Sequence, residues 1–388
     1  MDIVKITPQM KAFLWGSTSY IQQLVGAPAN GSPVGELWMG THPNAPSLVP
    51  SAANRTLGDF LSMNRQYLGS LEQLPFLFKL MAIEKPLSIQ CHPTKAQAVE
   101  GYALEAKKRT RVTNEFWNYQ DSNQKAEMLY AITPTTAMCG FRPWIAAKED
   151  LSKLLGPLYQ RFFGNCDNHA NPMQAFFHSL YRLDPADLVL CIQKYAASLS
   201  AWGPMFDGQY LTPAGIAINA IAEYPADPGV FAPFFLNVIQ LHPGEAIYLE
   251  PRIVHAYVKG NGIELMNNSD NVLRAGLTSK HMDVDELERV MLACEYPVKK
   301  LKPEIDESGV HFKTPSPDFY LSVMRNGTFS IKHASIEILF CLEGSATITV
   351  EDEQMQLLQG ECAVVASDVK AYGLACVGTV FSASLPPH

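Results

Sequence analysis

The alternation of apolar and polar positions divides the chain into two stretches of strand texture separated by one of helical texture. Up to about residue 145, short apolar runs bounded by turn formers predict β-structure. The clearest run is Phe76-Leu77-Phe78-Lys79-Leu80-Met81-Ala82-Ile83. It reads as a buried strand carrying one lysine, and the flanking Phe78 and Leu80 aim that amine into a cavity rather than at water. From Trp144 to Ala226 the period changes. Leu151, Leu154, Leu155, Leu158 and Phe162 recur at helical spacing. Asp184-Pro185 and Asn171-Pro172 each offer a capping side chain followed by proline at the first helical position, and Phe176, Phe177 and Leu180 mark a buried helix face. Strand texture returns at Phe234-Phe235-Leu236-Asn237-Val238-Ile239-Gln240-Leu241 and persists to Leu277. A helix is predicted from Asp283, and β-structure again from Lys302 to the end, with alternation in Ala346-Thr347-Ile348-Thr349-Val350. The expected fold is mainly β with a helical insertion.

The two β stretches share a weak repeat. Leu241-His242-Pro243-Gly244-Glu245-Ala246-Ile247-Tyr248-Leu249 is similar to Leu358-Gln359-Gly360-Glu361-Cys362-Ala363-Val364-Val365. Each is followed by a turn and then by His255-Ala256-Tyr257 or Lys370-Ala371-Tyr372. A Gly-Glu turn, an apolar strand, a second turn and a return strand make a hairpin pattern of jelly-roll barrels such as cupins. Two cupin-type barrels plus a helical domain are therefore expected. Residues 1–145 and 227–300 form a metal-binding barrel, 146–226 the helical insertion and 301–388 a metal-free barrel.

At 388 residues, 47% apolar and 18% charged, the chain has the size and composition of a multidomain globular protein. No apolar run approaches the ~20 residues that span a bilayer, and Met1-Asp2-Ile3-Val4-Lys5 lacks a basic-then-apolar secretory layout. A net charge of −8 gives no general attraction to nucleic acid. Eight cysteines include no CxxC pair, and most sit in apolar contexts such as Leu190-Cys191-Ile192, which suits reduced thiols. The expectation is a cytoplasmic protein without nucleic-acid or membrane partners, and a monomer.

Candidate chemistry concentrates in a few places. In Pro86-Leu87-Ser88-Ile89-Gln90-Cys91-His92-Pro93, strand alternation puts Ser88, Gln90 and His92 on one face. Pro251-Arg252-Ile253-Val254-His255-Ala256-Tyr257 supplies another histidine, and Lys125-Ala126-Glu127-Met128 an amine and a carboxylate on one face. Gln90, His92, Glu127 and His255 compose a divalent-metal set with net positive charge left on the ion, suited to polarising a substrate oxygen. A structural zinc would use cysteines at short spacing, and none are so placed. The polar loop Glu264 to Lys280 carries Arg274 and Lys280, which beside such a pocket would clamp a phosphate with help from Ser88. The other histidines read blandly. His42 and His242, each before proline, are core or capped residues, and His169, His178, His281, His311, His333 and His388 have no recommending spacing.

Six segments then appear in a familiar order: Trp15-Gly16-Ser17, Glu36-Leu37-Trp38-Met39-Gly40-Thr41-His42-Pro43, Leu87 to Pro93, Lys125-Ala126-Glu127-Met128, Gly140-Phe141-Arg142-Pro143, and Asn268 to Thr278. In this the chain resembles the type I mannose-6-phosphate isomerases over residues 1 to about 300. These are zinc-dependent cupin enzymes that interconvert mannose 6-phosphate and fructose 6-phosphate. The resemblance implies one Zn²⁺ on Gln90, His92, Glu127 and His255, and phosphate contacts at Ser88, Arg274 and Lys280. It also implies catalytic roles at Lys79, Lys125, Glu264, Asp270 and Arg274, and a pocket-lining aromatic at Trp38. Two departures stand out. Gln124 occupies a place where relatives commonly have histidine, so acid–base work assigned to that histidine does not carry over. Cys91 replaces a common valine and is expected to point away from the metal.

Aldose–ketose isomerisation needs ring opening, a base at the carbon acid, an electrophile on the developing oxyanion and a grip on the phosphate. Glu264 is the first choice of base, then Lys125, then Asp270. The alternatives weighed are an iron-dependent cupin oxygenase, a non-catalytic or differently specific sugar-phosphate-binding cupin, and a nucleotidyltransferase fusion. The last lacks any Gly-rich start here.

Overall fold

The computed structural model describes residues 2–107, 117–332 and 334–387, so His333 and His388 lie outside the described residues. Among them, two antiparallel sheets of ten and eight strands carry the architecture. In the first, the long His255–Asn267 strand is central and pairs with Phe76–Ile83, Ile89–Cys91, Glu127–Ala131 and Thr135–Phe141. Every residue of Phe76–Ile83 is buried, because neither face of this strand meets solvent. Met81 and Ile83 turn into the sheet's own interior with Leu129, Leu249 and Tyr257. Phe78, Leu80 and Ala82 turn outward and pack with residues of the second sheet.

That contact is aromatic. Phe78 meets Phe340 edge-on at 6.3 Å between ring centroids, and Tyr130 meets Phe312 at 5.3 Å and Phe381 at 5.1 Å. Losing a buried ring of this size costs about 3–5 kcal/mol, so the joint between sheets is a stability element rather than a sliding surface. The second sheet is built from Gly309–Phe312, Tyr320–Lys332, Glu337–Val350, Glu353–Leu358, Cys362–Val365 and Ala371–Ser384.

The repeated Gly-Glu turns are the same device in both sheets. Gly244 and Gly360 sit at φ +94° and +83°, a left-handed backbone that favours glycine. The following glutamate folds back in each case. The His242 N–H donates to Glu245 Oε2 and the Leu358 N–H to Glu361 Oε2, both at 2.8 Å. Each glutamate also receives a lysine from a distant edge segment, Lys300 at 2.5 Å and Lys5 at 2.7 Å. Lys300 bridges Ile247 of the first sheet, whereas Ile3–Ile6 forms an edge strand of the second, with Lys5 opposite Ala363. Residues 3–6, expected in the first barrel, thus lie in the other sheet.

The inserted helices run from Trp144–Leu155 to Ala232–Phe235, and the helix predicted from Asp283 is Val284–Val290. Asn171 and Asp184 cap Pro172–Tyr181 and Pro185–Leu199 as the sequence predicts, each accepting a backbone N–H of the first turn. Their apolar faces share one cluster with Ile89, Cys91, Met138, Val254 and Ala275, so they cover the outer side of the strands that hold the histidines. Two expectations need correction. The strand expected from Phe234 begins at Leu236, because Ala232–Phe235 forms a helical turn. The β-dominated opening also contains the helix Lys95–Ala106, whose Thr94–Gln97 capping box was legible in the sequence but passed over. Among the described residues no helix is long and apolar enough to cross a membrane.

Candidate active site

Sheet register brings the four candidate ligands together. Gln90 lies directly opposite His255 on one side and Arg274 on the other, and directly paired residues of an antiparallel ladder present their side chains on one face. Ligand atoms of His92, Glu127 and His255, all buried, lie within 4.8 Å of one another. His92 Nε2 is 3.2 Å from Glu127 Oε1, and His255 Nε2 is 3.2 Å from Glu127 Oε2. Cys91 faces the helical cluster instead, away from this centre as expected.

The second ring nitrogens fix the tautomers. His92 Nδ1 lies 2.7 Å from the Asn271 carbonyl oxygen and His255 Nδ1 2.8 Å from that of Ile253. A carbonyl only accepts, so both Nδ1 atoms donate, and both Nε2 atoms point at the carboxylate. Burial, with Lys125 nearby, lowers the His92 pKa to about 4, so the ring is neutral near pH 7. His255 Nε2 has no hydrogen-bond partner. Two ring nitrogens converge on one buried carboxylate, and that of neutral His92 is an acceptor facing an acceptor, an arrangement that a divalent cation relieves. The donor set of two imidazoles, a carboxylate and a nearby amide oxygen suits zinc. Lys125 Nζ, 2.8 Å from Glu127 Oε1 and 3.4 Å from His92 Nε2, supplies positive charge at the same point. Burial works to raise the Glu127 pKa, but the Lys125 ammonium foremost outweighs it and holds the carboxyl well below its ordinary range.

Beside this centre runs a cross-strand row, Trp38 opposite Lys79 and Lys79 opposite Glu264. Lys79 Nζ is 2.8 Å from Glu264 and 3.5 Å from Glu36, and stands 5.1 Å from the centroid of the Trp38 ring. The Trp38 indole N–H donates to Glu36. Burial opposes the charge on Lys79, yet the two carboxylates keep it protonated. Glu264 is pushed above its usual value, first by burial, with Glu127 and Glu36 adding to the effect against Lys79 and Lys125. A buried carboxylate with a raised pKa, fixed by an ammonium, is equipped to exchange a proton.

The phosphate candidates sit at the rim. Arg274 is half-buried and Lys280 exposed. Burial lowers the pKa of both, and Arg274 lowers that of Lys280 further, which places the two cations near one another. Among the described residues neither is paired with a carboxylate, so the pair is free to take an anion. Ser88 precedes the Ile89–Cys91 strand by one residue. Asp270 is taken up by His42 at 3.2 Å and Asn44 at 2.8 Å. Burial raises its pKa, but His42, Lys125 and Lys79 bring it below its usual value.

Sequence reasoning passed over several neighbours. His42, read as a bland core histidine, is buried but joins the Trp38 ring edge to Asp270. Glu36 and Tyr257 were not singled out, although the Tyr257 hydroxyl donates to Glu127 at 3.2 Å. The signal for Glu36 lay two residues before Trp38, and for Tyr257 two after His255, on the same strand faces. Gln124 lines a separate cavity with Lys95, Asn123 and Asp318.

Comparison with known proteins agrees with this geometry. Residues 3–144 match the family described as phosphomannose isomerase type I, catalytic domain. The chain is 34% identical to mannose-6-phosphate isomerase of Escherichia coli (strain K12), over 95% of this chain and 97% of that one. It is 34% identical to the Homo sapiens enzyme over 72% and 70%. Among solved structures, a variant of Salmonella typhimurium phosphomannose isomerase superposes with a TM-score of 0.90 at 29% identity, covering 100% of both chains. A mannose 6-phosphate isomerase bound with zinc and yttrium superposes at 0.89, with the same identity and coverage.

Proposed function

The chain belongs to the type I phosphomannose isomerases and interconverts mannose 6-phosphate and fructose 6-phosphate, and we propose that the buried cluster performs this reaction with the residues described. The observation that carries the assignment is the convergence of His92, Glu127 and His255, two ring nitrogens aimed at one buried carboxylate. Gln90, His92, Glu127 and His255 hold one Zn²⁺, which when bound supplies a Lewis acid for the sugar oxygens that gain negative charge. Glu264 takes the proton from C2 of the opened aldose and returns it to C1, because one carboxylate reaches adjacent carbons and its raised pKa suits both directions. Lys79, locked protonated against Glu264, aims that carboxylate and stabilises it after proton loss. Lys125 places a positive charge beside the developing enediolate.

Arg274, Lys280 and Ser88 bind the phosphate. Their place at the rim, with Arg274 opposite Gln90, sets the distance between phosphate and reacting carbons. Trp38 closes one wall. The division into a metal-binding unit (1–145 and 227–300), a helical unit (146–226) and a metal-free unit (301–388) belongs to the same proposal, supported by the two separate sheets, apart from residues 3–6. A non-catalytic sugar-phosphate-binding protein is not favoured.

The test is metal analysis of the purified protein combined with coupled detection of fructose 6-phosphate formed from mannose 6-phosphate, before and after chelation. About one zinc per chain is expected, with turnover lost on chelation and restored by zinc. Full turnover in the metal-free protein would overturn the assignment.

A further inference from the structure

The C-terminal sheet repeats the register of the active-site sheet beside the Gly-Glu turn and along one cross-strand row. Glu127 is opposite Leu249 in the strand after the Gly-Glu turn, and Glu337 is opposite Val365 in the same place. The row Trp38, Lys79, Glu264, Leu129 has as its counterpart His311, Ser322, Ser382, Leu339. Three bulky side chains of the active site are thus replaced by imidazole and two hydroxyls, while a buried carboxylate is kept at the metal-ligand position.

The smaller side chains leave space. A cavity of about 320 Å³ opens here, lined among others by Asp306, His311, Tyr320, Ser322 and Glu337. Its polar groups are organised in a chain. His311 Nδ1 is 2.8 Å from Ser322 Oγ, and its Nε2 is 3.0 Å from Asp306 Oδ1 and from Ser308 Oγ. The Ser382 hydroxyl donates to Glu337, and Tyr320 stacks on His311 at 5.8 Å with the rings 14° apart. None of these residues reaches the isomerase centre.

We propose that this cavity is a second, metal-free binding site for a neutral polyhydroxylated molecule, a free sugar or polyol. Carboxylate, hydroxyl and imidazole groups alternate as acceptors and donors around its wall, which matches a ligand carrying many hydroxyls. Tyr320 and Met324 supply apolar surface for its C–H faces. Charge sets the class. Asp306, Glu307 and Glu337 face one lysine, Lys332, so a phosphate dianion is disfavoured where an uncharged sugar is not. The Ser322–His311–Asp306 chain does not make a hydrolase, since Ser322 lies mid-strand between two paired strands and its neighbours' N–H groups are committed to the ladder rather than to an oxyanion.

The test is calorimetric titration of the zinc-loaded full chain with mannose, fructose and mannitol, with the isomerase site saturated by mannose 6-phosphate at equilibrium. At least one neutral compound is expected to bind saturably. Glu337→Gln is expected to weaken that binding about tenfold, the worth of one hydrogen bond to a charged group. Ser330→Trp, an exposed change at the cavity wall that does not depend on the buried network, abolishes it and leaves isomerase kcat/KM unchanged. Absence of binding by all three compounds, displacement of the neutral ligand by mannose 6-phosphate, or binding indifferent to both substitutions overturns the proposal.

Discussion

Glu127 and Glu337 occupy one register position in two sheets of the same design, and their neighbours differ in kind. Around Glu127 stand two imidazoles and an ammonium. Around Glu337 stand Ser382 and Tyr372, whose phenol is pushed well above its ordinary pKa by burial and then by Glu337. Both sheets even keep the tyrosine of the return strand, Tyr257 in one and Tyr372 in the other. What separates them is His255 against the exposed Lys370, and the Ile89–Cys91 strand with the following His92, whose imidazole meets Glu127. The ladder fixes where a side chain points, and a handful of substitutions on it decides whether the place holds an ion, a sugar phosphate or neither.

The comparison breaks most sharply at the paired glutamates. Glu127→Ala is expected to lose zinc and to lower kcat/KM about a thousandfold or more, whereas Glu337→Gln should leave both metal content and isomerase kcat/KM within about twofold of the parent enzyme. A loss of zinc in Glu337→Gln would show that the two sites are not independent. Next in size is Glu264→Gln. It should retain zinc while kcat falls about 10²–10⁴-fold, the usual span for a general base, and near-normal turnover removes Glu264 from the role. Arg274→Ala is expected to raise KM for the sugar phosphate about tenfold or more with zinc intact.

The pH dependence sharpens the contrast within the active site itself. A base must be ionised, so activity is lost as pH falls through the Glu264 pKa, and because that value is raised the acid limb lies above that of an ordinary glutamate. His92, lowered to about 4, keeps its lone pair to a pH below that limb. Turnover should therefore fall on acidification before zinc leaves, as a pH–rate profile run beside metal analysis will show. Simultaneous loss of both would assign the limb to a metal ligand instead. The smallest effect concerns the matched lysines. Lys5→Ala and Lys300→Ala each remove a half-exposed ion pair, so each is expected to cost only about 0.5 kcal/mol in urea unfolding, and by similar amounts in the two sheets.

Much of this was legible in the chain itself. The unbroken apolar run around Lys79, the Pro-led helix starts and the Gly-Glu repeat each reflect a local rule, and the structure keeps them. His92, Glu127 and His255, which the fold brings together, were recognisable because they lie in short strand patterns with a polar face. The partners that tune them were not. Asn271 reaches His92 through its carbonyl, which no side-chain pattern announces. His42 meets Asp270 across more than two hundred residues of chain. His311 acquires its surroundings only when Ser322 comes opposite it. In each case the information lies in register between distant strands, and period alone does not encode register.

The crossing of Ile3–Ile6 into the distal sheet has a consequence for biosynthesis. Ile3–Ile6 pairs with Cys362–Val365, a segment made more than three hundred and fifty residues later, so that edge waits, unpaired, until its partner emerges. Long-range pairing of this kind is slow to close, and an unpaired strand invites association with other chains. Maturation of the distal sheet is therefore gated by the arrival of Cys362–Val365. Substitutions within Ile3–Ile6 will be felt in the distal sheet before they are felt beside the zinc site.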